Sequence, residues 1–182
     1  MKLKIFLSAI IFLLLLVPGK SFAEMPDVTA GKIDFDILQG KYFLEKNVFV
    51  KVDNHGFTAT VAADKAEISM VTKTCIAEGN VTFTHGNFSL ACKKAFADWN
   101  DKKVDAQGKV KFIDKNIVNV NSEKATFSLD EKIIDFTGKV EIKPEKNFKP
   151  SETFTPDKKK KYSHVRYNIE TKEFSQPEGS EK

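Results

Sequence analysis

The residues with the greatest chemical reach in this chain are not spaced to work together. The three histidines, His55, His85 and His164, stand in or beside turn sequences with no second histidine or carboxylate at ligand spacing, so no metal site is expected. Asp and Glu are scattered along alternating polar positions. There is no Gly-x-Ser-x-Gly and no glycine-rich phosphate loop, and Arg166 is the single arginine. Cys75 and Cys92 are the one pair able to form a covalent bond. In an oxidising compartment they are a possible disulfide, and otherwise two small buried hydrophobes; the sequence leaves both open. No catalytic residue, metal or cofactor is called for, which turns attention to what the apolar residues do.

Those residues form a repeat. Between Ile33 and Phe174 the same slots return at intervals of 33, 29, 30 and 40 residues, a period that signals a modular array. Each unit holds a triplet spaced two apart: Ile33/Phe35/Ile37, Ala66/Ile68/Met70, Ala95/Ala97/Trp99, Ala125/Phe127/Leu129 and Val165/Tyr167/Ile169. Five residues after each triplet comes a further slot, at Tyr42, Cys75, Val104, Ile134 and Phe174. Six residues beyond the first four of these begin the pairs Val48/Val50, Val81/Phe83, Val110/Phe112 and Val140/Ile142. Three more pairs, Ala59/Val61, Phe88/Leu90 and Val118/Val120, end five residues before the next triplet. The residues between are mostly polar, which is strand alternation. Turn formers such as Asn54-His55-Gly56, His85-Gly86-Asn87 and Asp114-Lys115-Asn116 separate the runs. The pattern predicts an all-β domain of about four repeats of roughly 30 residues, with little room for a helix.

The first 23 residues read differently. Lys2 and Lys4 precede the 13-residue apolar stretch Ile5 to Val17, Pro18-Gly19 break it, and Ser21-Phe22-Ala23 offers a cleavage site, the pattern of a secretory signal peptide. At 1.5 Å per residue such a stretch covers about 20 Å, short of a bilayer core. Cleavage after Ala23 leaves 159 of the 182 residues and, by removing Lys2, Lys4 and Lys20, lowers the formal charge from +4 to +1. The apparent basicity is therefore mostly the export signal, and a nucleic-acid footprint is not expected. The expected organisation is a signal peptide at 1–23, a β domain at 24–175 with a loop insertion at 143–161, and a disordered tail at 176–182. The insertion carries Pro144, Pro150, Pro156 and the run Lys158 to Lys161. It reads as a solvated linker, with a basic lip for anionic lipid as the alternative.

A continuous apolar face must either pack against a second face or stay available to a guest. The middle triplets each begin with alanine, at Ala66, Ala95 and Ala125, where a packed core would favour branched residues, so some space is expected. The candidate groove lining is Val48, Val50, Val61, Ile68, Val81, Phe83, Phe88, Leu90, Val110, Phe112, Val118, Val120, Phe127, Leu129 and Ile134. A row of repeats that does not close leaves unpaired strands at its ends. Ile33/Phe35/Ile37 and Val165/Tyr167/Ile169 are the candidate edge strands for head-to-tail self-association or pairing with a sister domain.

The glycine turns and the corners between them carry a resemblance. Gly79-Asn80-Val81, Gly108-Lys109-Val110 and Gly138-Lys139-Val140, with corners Ala63-Asp64-Lys65-Ala66, Cys92-Lys93-Lys94-Ala95 and Ser122-Glu123-Lys124-Ala125, resemble the OstA-like repeat of periplasmic lipopolysaccharide-transport proteins. The likeness spans Ile33 to Phe174, and Lys46-Asn47-Val48 departs from it by lacking the glycine. The resemblance implies a folded antiparallel β-jellyroll, binding of lipopolysaccharide through its lipid A acyl chains, and a bridge between inner and outer membranes built with LptC-like and LptD-like OstA-type domains. An LptC-like protein held at the inner membrane by an uncleaved first segment, and a ligand-free structural β-solenoid, are the alternatives.

Overall fold

The structure is a computed structural model describing residues 27–54, 57–98, 100–128, 130–151, 154–157 and 159–177. The predicted signal peptide, His55, Leu129 and the end of the tail lie outside the described residues. Eleven strands follow in order: β1 (Asp27–Thr29), β2 (Lys32–Asp36), β3 (Lys41–Asn54), β4 (Phe57–Ser69), β5 (Thr74–His85), β6 (Phe88–Asp98), β7 (Lys103–Asp114), β8 (Val118–Ser128), β9 (Ile133–Pro144), β10 (Tyr162–Asn168) and β11 (Phe174–Ser175). They form one antiparallel sheet, with β3 to β10 in sequence order, β1 and β2 both on β3, and β11 on β10. No described residue is helical, in accord with the all-β expectation.

Each strand from β3 to β9 is broken at its middle by a register shift. On β5, Glu78 faces Lys65 and Thr82 faces Ala62, so β5 supplies one residue more than β4 over the same interval. The extra residue sits in a left-handed pair, Gly79 at φ 75° and Asn80 at φ 47°. Gly108-Lys109 on β7 and Gly138-Lys139 on β9 repeat this, and Lys46-Asn47 on β3 accepts φ of 64° and 56° without a glycine. Such bulges bend a strand sharply. The even strands answer with a phase slip: on β4 the inward residues are Ala59, Val61 and Ala63, then two exposed positions, Asp64 and Lys65, then Ala66 and Ile68. The corners stack across the sheet, with Gly79 against Asp64, Gly108 against Lys93 and Gly138 against Glu123.

The corner line divides the sheet into two wings. The first wing contains residues 41–45, 65–69, 74–78, 94–98, 103–107, 124–128, 133–137 and 164–168; the second contains the other half of each long strand. One core cluster draws on both, joining Ala106, Ala125 and Phe136 of the first wing to Val110, Phe112, Val120 and Ile142 of the second. At the N-terminal end two smaller clusters form, one around Val50, Ala59 and Val61 of the second wing and one that joins Leu44, Ile68 and Cys75 of the first wing to Val48 of the second, and Val28 of β1 packs on both.

The C-terminal end departs from the sequence reading in three ways. The insertion is not a solvated linker, because Phe148 and Phe154 pack on the core and Pro156 is buried. Val165 and Tyr167 are fully buried rather than available on an edge. β11 covers β10 at Arg166 and Tyr167, and the Asn168 amide already donates to the Glu173 carbonyl at 3.0 Å. At the other end Ile33 and Phe35 do lie on β2, but Ile37 has left the strand and stands 80% exposed in the following turn.

A Cβ at Gly138 would sit 2.9 Å from the Glu123 Cβ, whereas one at Gly86 (φ 54°) would meet nothing within 4 Å. Gly86→Ala should therefore cost only left-handed strain, about 1 kcal/mol, and Gly138→Ala about 1–2 kcal/mol more because the stacked corner must move. Urea unfolding of the two variants measures the difference, and equal midpoints would count against the stacked corner.

Candidate functional site

Strand register sets apolar residues of the two wings in rows that run across the strands. On the first wing Leu44, Ala66, Ala77, Ala95, Ala106, Ala125 and Phe136 pair in succession. Five consecutive strands therefore present alanine at one level, ended by a large residue on each side. On the second wing the succession is Val50, Val61, Phe83, Leu90, Phe112, Val120 and Ile142. A small-residue row facing a large-residue row leaves a cavity of about 280 Å³ between the wings. Its polar lining comes from the strand ends and turns that rim the two wings, Asp98, Lys103, Lys132 and Glu170 on one and His85 and Ser89 on the other.

Of the predicted groove residues, the cavity brings together Val61, Val81, Phe83, Phe88, Leu90, Phe112, Phe127 and Ile134. Val110, Val118 and Val120 lie instead in the packed core. Val48, Val50 and Ile68 belong to the two N-terminal clusters. Sequence reasoning missed Ala77, Ala106 and Val104 as lining, although alanine at the start of three triplets had signalled the space.

The C-terminal limit of the cavity is chemically distinct. The Phe112 ring crosses from the second wing to lie 5.6 Å from Phe136 and 5.6 Å from Tyr167. Behind it Asp114, 2% exposed, accepts the Tyr167 hydroxyl at 2.7 Å and the Lys172 Nζ at 2.9 Å on the same oxygen. The Lys172 ammonium also lies 4.2 Å over the Phe88 ring, a cation–π contact. Burial, then the hydrogen bond and charge of Asp114, push the Tyr167 hydroxyl well above its ordinary pKa. This clasp ties β7 and β6 of the second wing to β10 of the first. Nothing local in Asp114-Lys115-Asn116 distinguishes it from a turn.

The two cysteines are free. Cys75 pairs with Ala97 while Cys92 pairs with Val81, so the two lie on opposite sides of the corner, one in each wing, and no disulfide joins them. Both instead fill buried positions. Burial pushes the Cys75 thiol up to about 12. On the outer face, Lys65 and Lys94 flank Glu78 at 2.8 and 2.7 Å and hold its carboxyl down at about 2. Asp135 takes both His164 at 2.6 Å and Arg166 at 2.8 Å, so His164 sits on a strand, not in a turn. Among the described residues no cluster of three potential metal ligands occurs.

Residues 60–172 match the family model described as LptA/(LptD N-terminal domain) LPS transport protein. The chain belongs to this family. Its fold is similar to that of LptH from Pseudomonas aeruginosa, the LptA homologous periplasmic component of the lipopolysaccharide transport device, with a TM-score of 0.57, 11% identity, and coverage of 66% of this chain and 95% of that one. No curated protein matches. The family is one of transport proteins, in keeping with a site whose walls are mostly apolar.

Because the Cys75 thiol is raised from 9.0 to about 12, it stays neutral in the folded state where the unfolded thiol ionises. Its contribution to stability is complete below about pH 9 and falls as pH rises from about 9 towards about 12. Iodoacetamide at pH 8 should leave Cys75 unmodified in the native protein and label it in urea, as read by peptide mass spectrometry. Rapid native labelling would contradict its burial.

Proposed function

We propose that this chain is a periplasmic, LptA-type carrier of lipopolysaccharide whose groove covers lipid A acyl chains on their way between the inner and outer membranes. The observation that carries this reading is the cavity between the wings, apolar along its walls and polar only at its rim. Covering each methylene is worth about 0.8 kcal/mol, so the groove removes most of the barrier to moving an acyl chain through water. An LptC-like, membrane-anchored role is the second reading, which the mature N-terminus would decide. The partners proposed are LptC-like and LptD-like domains of the same type. Pairing is proposed through the outer edge of β2, where Phe35 is 47% exposed. Self-association through β10 would first require displacement of β11.

Photo-crosslinking residues placed at Phe83 or Leu90 in cells should capture lipopolysaccharide, whereas Thr82 and Lys111, exposed on the outer face, should not. Leu90→Asp should reduce lipid capture at Phe83 at least tenfold, because an unpaired carboxylate on that wall costs well over 1.4 kcal/mol to desolvate. Circular dichroism checks that the variant remains folded. Equal capture from both faces, or undiminished capture by folded Leu90→Asp, would remove the groove from the transport path.

A further inference from the structure

We propose that the insertion between β9 and β10 is a docking surface for an anionic lipid bilayer: its aromatic side packs on the C-terminal end of the sheet, and its lysines meet the phosphates of a membrane there. The charge of the chain is concentrated in this segment. Residues 143–161 set seven lysines, Lys143, Lys146, Lys149 and Lys158 to Lys161, against three carboxylates, Glu145, Glu152 and Asp157, a formal +4. The chain after Ala23 carries +1 in all, so everything outside the insertion sums to −3. Such an asymmetry points to a polyanionic partner.

The fold turns that charge into a fixed patch. Glu145 and Asn147 donate their amides to the carbonyls of Ile117 and Asn116, both at 2.8 Å, which ties Lys146 beside the turn between β7 and β8. Ring contacts then hold the segment in series, Phe148 on Phe174 at 6.1 Å, Phe174 on Phe154 at 6.3 Å and Phe154 on Tyr162 at 5.3 Å. The Ser151 hydroxyl accepts the Phe154 amide at 3.0 Å, and the Asp157 amide donates to the Tyr162 hydroxyl at 2.8 Å. With the rings on the core, Lys146, Lys149, Lys159, Lys160 and Lys161 are exposed. Lys161 is engaged by Glu141 at 2.7 Å, and Lys160 lies 5.3 Å over the Tyr162 ring. Lys146, Lys149 and Lys159 have no ion pair among the described residues.

The chemistry of the patch selects lipid over protein. Protein interfaces are enriched in aromatic residues and arginine and depleted in lysine. Here the single arginine of the chain, Arg166, is engaged by Asp135 on the first wing, and no exposed large apolar side chain among the described residues belongs to the insertion. Ammonium groups are hydrated point charges, which suits phosphates that move freely in a fluid surface. Docked through this patch, the sheet stands with β10 nearest the bilayer and β2 far from it.

The test is co-sedimentation of the exported protein with vesicles of equimolar phosphatidylcholine and phosphatidylglycerol, against vesicles of phosphatidylcholine alone. Binding should be confined to the anionic vesicles and vanish in about 1 M salt, where the Debye length is about 3 Å. A lysine near an anionic surface contributes about fivefold in partition. Lys146→Gln, Lys149→Gln and Lys159→Gln combined should therefore weaken binding about a hundredfold. Lys93→Gln, Lys109→Gln and Lys111→Gln combined remove the same charge from exposed positions on β6 and β7 and should leave binding nearly unchanged. Circular dichroism checks that both variants remain folded, and lipopolysaccharide capture at Phe83, which reports on the groove separately, should be the same in both. Equal binding to the two kinds of vesicle, or equal weakening by the two triple variants, overturns the membrane surface. Salt-sensitive binding to a purified LptD-like domain through Lys146, Lys149 and Lys159, with no binding to anionic vesicles, assigns the patch to a protein and overturns it as well.

Discussion

The bend at the middle of every long strand is the constraint on which this structure depends. A strand alternates faces at every residue, so folding a sheet back on itself without exposing half of its apolar residues requires a correction on each strand at the same level. Odd strands make it with an extra residue in a left-handed pair, and even strands with two consecutive exposed positions. The two devices are complementary: the extra residue of β5 is accommodated opposite the slip at Asp64-Lys65 on β4. With the corners in line, both wings turn their apolar rows inward, and the rows are what make a groove. The first corner achieves the bend without glycine, and the chain there is backed by Gly31, whose amide donates to the Lys46 carbonyl at 2.8 Å where β1 and β2 part.

The groove and the core are two outcomes of the same rows, decided by residue size. Towards β9 and β10, Phe112, Phe136, Tyr167 and Phe174 fill the space between the wings, and centroid distances of 4.7 to 5.6 Å tie the rings together. Towards the middle, alanine on the first wing leaves it unfilled. At about 24 cal/mol per Å³ an empty space of about 280 Å³ would cost up to roughly 7 kcal/mol, comparable to the whole stability of an ordinary domain. Access to solvent at the rim lowers that figure, yet a sequence selected for stability alone would place leucine or isoleucine in the row. The buried Asp114 belongs to the same division. A carboxylate at 2% exposure is tolerable only with both of its partners, and these are the residues that hold the filled end together beside the unfilled one.

Much of this was legible in the residue order. The period-two triplets gave the strands, and the odd offset of five from Val61 to Ala66 is the phase slip at the corner, although only coordinates show that it folds the sheet. Which slots line a cavity and which fill a core was not legible, because Val110 and Phe112 share a strand and a phase and differ only in what stands across the gap. The disulfide failed for a similar reason: Cys75 and Cys92 both carry the inward phase, but register separates them along the strand. The clasp was invisible, since Asp114 and Lys172 lie 58 residues apart and each alone has the appearance of an ordinary turn residue. The insertion was misjudged because lysine and proline outnumber the two phenylalanines, Phe148 and Phe154, that decide where it packs.

The two edges of the sheet are unequal, and the inequality gives the molecule a direction. At the C-terminal side β11 and the packed insertion cover part of β10, and the residues there are committed to the core. At the N-terminal side the edge is split between β1 and β2 by Gly31 at the corner, so it bends as the sheet bends and presents one short strand to each wing. Phe35, Ile37, Leu38 and Val71 are exposed around this end, beside the charged Lys32, Asp34 and Asp36 of β2. A partner strand added to β2 would continue the first wing in register with Ile33 and Leu44, at the end opposite the Asp114, Tyr167 and Lys172 clasp.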